Sequence, residues 1–206
     1  MSSVQKHYEH LCNTPSDINE HLPTLYKYAK ECESIIELGV RGVVSSWALV
    51  HGLSENGKSI KKILLNDIEP CDIDTLLKES KDTNVDISYE WKNDLEMDIT
   101  ENVDMTFIDT WHVYAQLKRE LDTFSKVTNK YIVMHDTTVD EWHGETVRCF
   151  GGLRAAEVQS KNTGFPVEEI MKGLWPAIEE FLENNSEWKL KERFTNNNGL
   201  TILERI

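Results

Sequence analysis

The sequence predicts an α/β protein: a mostly parallel sheet of seven strands, helices on both faces, and an antiparallel hairpin at the C-terminus. Three observations carry that expectation. Short apolar runs of strand length alternate with segments of helical periodicity, the pattern of a parallel sheet joined by helical crossovers. Several runs end on glycine or on ionisable residues, as strands do when their carboxyl ends face a ligand. The last two runs are separated by Asn196-Asn197-Asn198-Gly199, a strong turn signal that makes them a hairpin.

The elements follow in order. Thr14 can cap a first helix, with Pro15 suited to its first position and Asp17 three residues after the cap; Leu22, Leu25, Tyr26 and Ala29 then recur at helical spacing. Ser34 to Leu38 is a short apolar run stopped by Gly39, a buried strand. Ser45 to Leu53 reads as a helix carrying Trp47, Leu49 and Val50. Lys62 to Asn66 is the second strand and ends at Asp67, and Asp72 to Lys78 fits a short helix. Val85 to Tyr89 alternates as a half-exposed strand does. Met105 to Ile108 is the fourth strand and ends at Asp109. Tyr114 to Phe124 is a helix with Leu117, Leu121 and Phe124 on one face. Lys130 to Met134 is the fifth strand and ends at His135-Asp136. Gly151 to Phe165 mixes helix and loop. Pro166 opens a helix through Ile170, Leu174, Ile178 and Leu182, which Pro176 kinks or restarts. Trp188 to Phe194 and Leu200 to Leu203 are the hairpin strands.

A chain of 206 residues fits one domain, residues 1–206, with residues 1–16 as an N-terminal extension able to act as a lid. Hydrophobic residues at 39% and charged residues at 28% are values of a globular, not a disordered, chain. The net charge of −14 argues against a partner tracked through phosphates and against an anionic membrane, so neither nucleic acid nor membrane is expected. No apolar run is long enough to span a bilayer, and the first residues lack the apolar centre of a signal peptide. Cys12, Cys32, Cys71 and Cys149 are scattered, with no CxxC pair. That predicts reduced thiols in the cytoplasm rather than a zinc knuckle or a redox motif.

Ligands of open parallel sheets bind beyond the carboxyl ends of the strands, so the candidate residues lie at those ends. Glu37-Leu38-Gly39-Val40-Arg41-Gly42 allows a tight turn and close backbone approach to a ligand, or is an ordinary strand-to-helix turn. It is neither G-x-G-x-x-G nor a P-loop. Asp67 can accept from both hydroxyls of a ribose, or cap a helix. Asp94 can accept from an adenine amino group, or be a solvated loop acid. Asp109 and Asp136 end strands expected to be neighbours. Converging carboxylates repel, and a hard divalent cation, Mg2+ or Mn2+, relieves the repulsion; helix capping is the plain alternative. His112, three residues after Asp109, reaches the same cavity and can take a proton from a hydroxyl. His135 admits three readings: metal ligand, orienter of the ligands, or packed histidine. Trp111 and Trp142 flank the expected site, where rings stack on a sugar or aryl acceptor, and His143 lies on the loop after Asp136 within reach of substrate.

With these residues placed, the chain resembles the S-adenosylmethionine-dependent methyltransferases with a seven-stranded Rossmann-like sheet, over about residues 17–205. Glu37 to Gly42 resembles the acid-x-Gly loop around the methionine part of the cofactor, with Arg41 in place of a glycine; Asp67 matches the acidic ribose ligand. Phe107-Ile108-Asp109-Thr110-Trp111-His112 together with Ile132-Val133-Met134-His135-Asp136-Thr137 is similar to the small metal-dependent O-methyltransferases. That group contains macrolide-sugar and rhamnosyl O-methyltransferases and cephalosporin-hydroxylase-like proteins. The resemblance implies that Glu37, Gly39, Arg41, Gly42, Asp67 and Asp94 bind S-adenosylmethionine, that Asp109 and Asp136 hold the metal, and that His112 is the base. Members with a Glu-Asp pair carry a carboxylate where this chain has His135, which leaves His135, Thr137 or water as third ligand. The implied reaction is methylation of a hydroxyl on a sugar, a rhamnose-like glycan or glycoside, with the protein mainly aligning the oxygen with the methyl group. Metal-free methyl transfer, a nicotinamide oxidoreductase and a non-catalytic module are the alternatives. The missing glycine and the terminal hairpin count against the oxidoreductase. Loops from Glu141 to Lys161 are expected to choose the small-molecule or glycan acceptor, and a homo-oligomer is compatible with the sequence.

Overall fold

A computed structural model describes residues 2–206; Met1 lies outside them. Five strands run parallel: β1 (Ser34–Leu38), β2 (Lys62–Asp67), β3 (Asp86–Trp91), β4 (Val103–Ile108) and β5 (Thr128–His135). β6 (Trp188–Phe194) and β7 (Leu200–Arg205) form the hairpin, and β7 pairs antiparallel with β5. The sheet order is β3-β2-β1-β4-β5-β7-β6. The chain winds outward from β1 to β3 and then returns to lay β4 against the other side of β1. The loops after β1 and β4 therefore diverge around a crevice, the place where such sheets bind ligands.

Consecutive residues of the central strands face opposite layers. Ile35 and Val133 pack under α2 (Leu22–Ala29) and α3 (Val44–Ser54), whereas Ile36, Ile132 and Met134 pack under α5 (Tyr114–Phe124) and α9 (Trp175–Asn184). This two-sided burial is why the strands read as continuous apolar runs. Gly52 on α3 lets α2 approach closely: a Cβ there would stand 2.6 Å from Ala29 Cβ and from Tyr26 O.

Three expectations are corrected. Helix α1 (Ser3–Cys12) precedes the expected first helix, capped by Ser2, whose side chain accepts from Gln5 N at 3.1 Å. It packs on α2 and α3 with Val4 fully buried, so it is part of the helical layer; none of residues 2–16 lines the central cavity described below, whose lining begins at Asp17. Pro15 lies in the loop after α1, and the next helix starts at Leu22, with Pro23 in its first turn. Residues 145–184 form α6 (Glu145–Cys149), α7 (Leu153–Thr163), α8 (Val167–Met171) and α9, with Pro176 restarting rather than bending the helix. Cys12, Cys32, Cys71 and Cys149 are free thiols, and no helix of the described residues is long and apolar enough to cross a membrane.

Candidate active site

A cavity of about 960 Å³ opens at the carboxyl edge, lined from one end by Gly39, Arg41, Gly42, Asp67 and Asp94 and from the other by Asp109, Trp111, His112 and Asp136. The first end is shaped by strained backbone. Gly39 has φ +86°, and a Cβ on it would lie 2.0 Å from the carbonyl oxygen of Asp109. Arg41 and Val43 also have positive φ, which is costly for a β-branched residue. The loop is held by Gly39 N donating to Asn66 O (2.9 Å) and Arg41 N donating to Asp67 Oδ2 (2.8 Å), while the Arg41 guanidinium pairs with Asp17 at 2.9 Å. Glu37 lies beneath this loop and does not line the cavity. It is fully buried, accepts from Ser45 Oγ, and burial pushes its carboxyl up to about 7. Asp94 lines the cavity, yet both its oxygens accept from Gln116 Nε2 (3.0 and 3.1 Å), and Gln116 also donates to the buried Glu120.

The second end is acidic. His112 Nε2 lies 3.2 Å from Asp109 Oδ1, and His112 Nδ1 faces Asp136 Oδ2 (3.1 Å), Asp140 Oδ2 (3.3 Å) and Glu145 Oε2 (3.4 Å). Asp136 is held in the left-handed region at φ +57°, and its carbonyl accepts from Asp140 N at 3.1 Å, closing a turn that brings Asp140 back to the histidine. Strain of this kind at an aspartate is tolerated where the surroundings over-determine it. Arg148 grips Asp140 through two hydrogen bonds of 2.7 and 2.6 Å. Burial opposes ionisation of Asp109, but hydrogen bonds from His112 and His135 outweigh it and hold that carboxyl well below the usual range. Burial likewise opposes charging of His112, and Asp109, Asp140 and Asp136 outweigh it, so its pKa stands well above the ordinary value. Burial pushes Asp136 up. Donor atoms of Asp109, His112 and Asp136 lie within 4.8 Å of one another, as do those of His112, Asp140 and Glu145.

His135 sits behind the cavity wall, buried, with Nδ1 toward Asp109. Trp142 and His143 are not in the cavity. The segment Trp142–Gly144 pairs back on Met171–Gly173, through Gly144 N to Met171 O (3.1 Å) and Gly173 N to Trp142 O (3.0 Å), which leaves both side chains exposed to solvent. The residues that take their place come from the C-terminal end of α7 and the turn after it: Asn162, Thr163 and Phe165, with Phe165 stacked on Trp111 at 6.3 Å between ring centroids. Asp140 and Glu145 carry no motif of their own. The turn closed by Asp140 N on Asp136 O, and not a sequence pattern, brings the first back to the histidine.

Scans against protein-family models and against curated proteins find no match. Solved structures share the fold. A caffeoyl-CoA O-methyltransferase candidate from Staphylococcus aureus superposes with a TM-score of 0.63 at 16% identity, over 100% of this chain and 93% of that one. An O-methyltransferase from Bacillus cereus in complex with SAH gives 0.59 at 13%, over 100% and 92%. The N-methyltransferase NodS from Bradyrhizobium japonicum WM9 gives 0.54 at 13%, over 92% and 96%. At these identities the likeness is one of fold, and the seven-stranded sheet with its reversed last strand is the Rossmann-like arrangement of these proteins.

Proposed function

We propose that the protein transfers a methyl group from S-adenosylmethionine to a hydroxyl oxygen of a sugar, a rhamnose-like glycan or glycoside. The observation that carries this reading is one continuous cavity. Its first end offers the Gly39–Gly42 loop and Asp67, and its second end offers a histidine among carboxylates. The lining also selects among nucleotide cofactors. The lining carries eight carboxylates, Asp67, Asp109 and Asp136 among them, against one guanidinium, that of Arg41. Such a cavity favours a sulfonium cation and repels the pyrophosphate of a dinucleotide.

The acid pair fits a divalent cation: Asp136 is 5% exposed, and its Oδ1 has no hydrogen-bond partner. Asp109 and Asp136 would hold it, and a cation there supplies Lewis acidity to an acceptor hydroxyl. His112 lines the cavity and is placed to take the hydroxyl proton. Trp111 and Phe165 supply an aromatic platform, and Glu145, Asn162 and Thr163 supply hydrogen-bonding groups; that mixture suits a polyol with an apolar face.

The test is calorimetric titration with S-adenosylmethionine, followed by transfer of a tritiated methyl group to a panel of rhamnosides and catechols, with and without EDTA. Cofactor binding with EDTA-sensitive labelling of a rhamnoside is the expected result. Labelling of catechols alone would replace the acceptor class, EDTA-insensitive labelling would remove the metal, and absence of cofactor binding would overturn the reading.

A further inference from the structure

The first end of the cavity carries a polar side chain that the function proposed above leaves unused. Gln116, in the first turn of α5, is buried and lines the cavity beside Asp94. Its Nε2 donates to Oδ1 and Oδ2 of Asp94 (3.0 and 3.1 Å) and to Oε1 of Glu120 (2.9 Å), one turn along the helix. An ionised carboxylate only accepts, so Asp94 fixes which end of the amide faces it. The nitrogen meets the acids, and the end left over is the carbonyl oxygen. All three hydrogen bonds of this side chain run through Nε2, which leaves Oε1 without a protein partner among the described residues.

Glu120 completes the frame. It is fully buried, its Oε1 also accepts from Thr110 Oγ1, and its Oε2 has no partner. Burial, and then the neighbouring Asp94, push its carboxyl well above the usual range, so it keeps its proton and adds no second charge beside Asp94. The amide is thus clamped between the turn after β3, which carries Asp94, and the helix after β4, which carries Glu120. The other groups of this end are apolar or already engaged. Ile68, Pro70 and Leu95 line the cavity here. Leu95 N donates to Asn93 Oδ1 (3.1 Å), Glu96 N to Asn93 O (3.0 Å) and Met97 N to Asp94 O (3.1 Å). A flat heterocycle entering this end therefore meets apolar contacts and an acceptor. A purine with an amino group at C6 supplies the matching donor, whereas a purine with a carbonyl there sets one acceptor against another.

We propose that Gln116 Oε1 is the acceptor that reads the exocyclic amino group of the cofactor's adenine, and that Asp94 and Glu120 are positioning residues acting through it. The inference rests on the cofactor reading given above. It also gives Asp94, expected from the sequence to meet the adenine itself, the task of holding the group that does.

The test is calorimetric titration with S-adenosylhomocysteine and with its 6-oxo analogue, S-inosylhomocysteine. The wild type is expected to bind the amino form about 30-fold more tightly, the effect of leaving a buried acceptor unpaired. Gln116→Met keeps the length of the side chain and removes its amide, and should bring the two ligands within about threefold. A merely structural loss would weaken both ligands and leave their ratio in place. Glu120→Gln, which keeps a neutral acceptor for Nε2, should preserve the ratio, and Glu120→Leu should lower it; equal ratios in these two variants would remove Glu120 from the assignment. Equal affinities in the wild type, or a ratio that Gln116→Met leaves unchanged, would overturn it altogether. Should Gln116→Met fail to fold by circular dichroism, Gln116→Asn, which draws the amide back by one methylene, is read in the same way. If neither ligand binds the wild type, the cofactor reading is refuted and this inference with it. Binding of both without a preference that depends on Gln116 refutes this inference alone.

Discussion

Replacing Gly39 by alanine puts a methyl group where the main chain of β4 ends. The new Cβ would lie 2.0 Å from Asp109 O, 2.6 Å from Asp109 C and 3.2 Å from Thr110 N, all backbone atoms that cannot rotate away. Two costs add. A left-handed conformation costs a residue with a side chain about 1–2 kcal/mol, and overpacking a tight contact costs about 1–3 kcal/mol, so the loss is about 2–5 kcal/mol. For a chain of this size each kcal/mol lowers the melting temperature by about 2–4 °C. Gly57→Ala isolates the first cost, because Gly57 has φ +70° and nothing within 4 Å of its ideal Cβ. It is expected to lose about 1–2 kcal/mol and to keep all ligand binding. Gly39→Ala is expected to melt several degrees lower than Gly57→Ala and to lose affinity for both S-adenosylmethionine and metal, because the strand end that moves carries Asp109. Melting by circular dichroism and binding by calorimetry read the two effects. If Gly39→Ala melts together with Gly57→Ala and binds both ligands like the wild type, the close approach of the two loops is not what builds the site.

The other outcomes are briefer. His112→Ala should lower turnover by about 10²–10⁴-fold while leaving the cofactor dissociation constant unchanged; near-normal turnover would remove it from the reaction. Phe165→Ala should raise the acceptor KM by about tenfold, the loss of one aromatic contact, with cofactor affinity intact. The Trp142→Ala/His143→Ala double variant, outside the cavity, should leave both constants in place; steady-state kinetics separate the two. Glu37 predicts a pH dependence. Its folded pKa is raised by burial to about 7, above its unfolded value, so its stabilisation is full below the unfolded pKa and is lost as pH rises through the folded one. Between pH 5 and 8 that loss is about 3 kcal/mol. Denaturant melts at the two pH values should show it, and Glu37→Gln should flatten the slope.

What could be read from the sequence depended on where the physical cause is local. β1, β6 and α5 have the boundaries their patterns predict, because apolar periodicity and bounding residues alone fix them. Helix α1 escaped notice because Val4 is its one fully buried apolar residue; Tyr8 and Leu11 gain their purpose only against α2 and α3. Asp109, His112 and Asp136 were legible as strand-end residues. Asp140 and Glu145 were not, since what brings them to His112 is the left-handed turn at Asp136 and the fold-back of the following loop. Trp142 and His143 were misplaced for the same reason: pairing with the segment at Lys172 decides which way that loop faces, and no short-range pattern reveals it. The surroundings of His135 could not be read from the sequence either, because the Asn197 carbonyl that meets its Nε2 lies 62 residues away.

The charges at the second end of the cavity link the protonation of His112 to the occupancy proposed for the acid pair. Asp109, Asp136, Asp140 and Glu145 surround His112, and Arg148 neutralises one of them, Asp140. With both imidazoles neutral, the remaining three carboxylates are uncompensated in a largely buried place, a costly arrangement. Without a metal the cheapest remedy is a proton on His112, the direction in which its carboxylate neighbours push it. An imidazolium cannot accept a proton from a hydroxyl. Asp109 and Asp136 would hold the proposed divalent cation, and its charge would give the carboxylates a partner in place of that proton. If the acid pair holds a cation as proposed, His112 would be free to accept a proton only in the loaded site, and chelation would be expected to abolish turnover through His112 as well as through the lost Lewis acid.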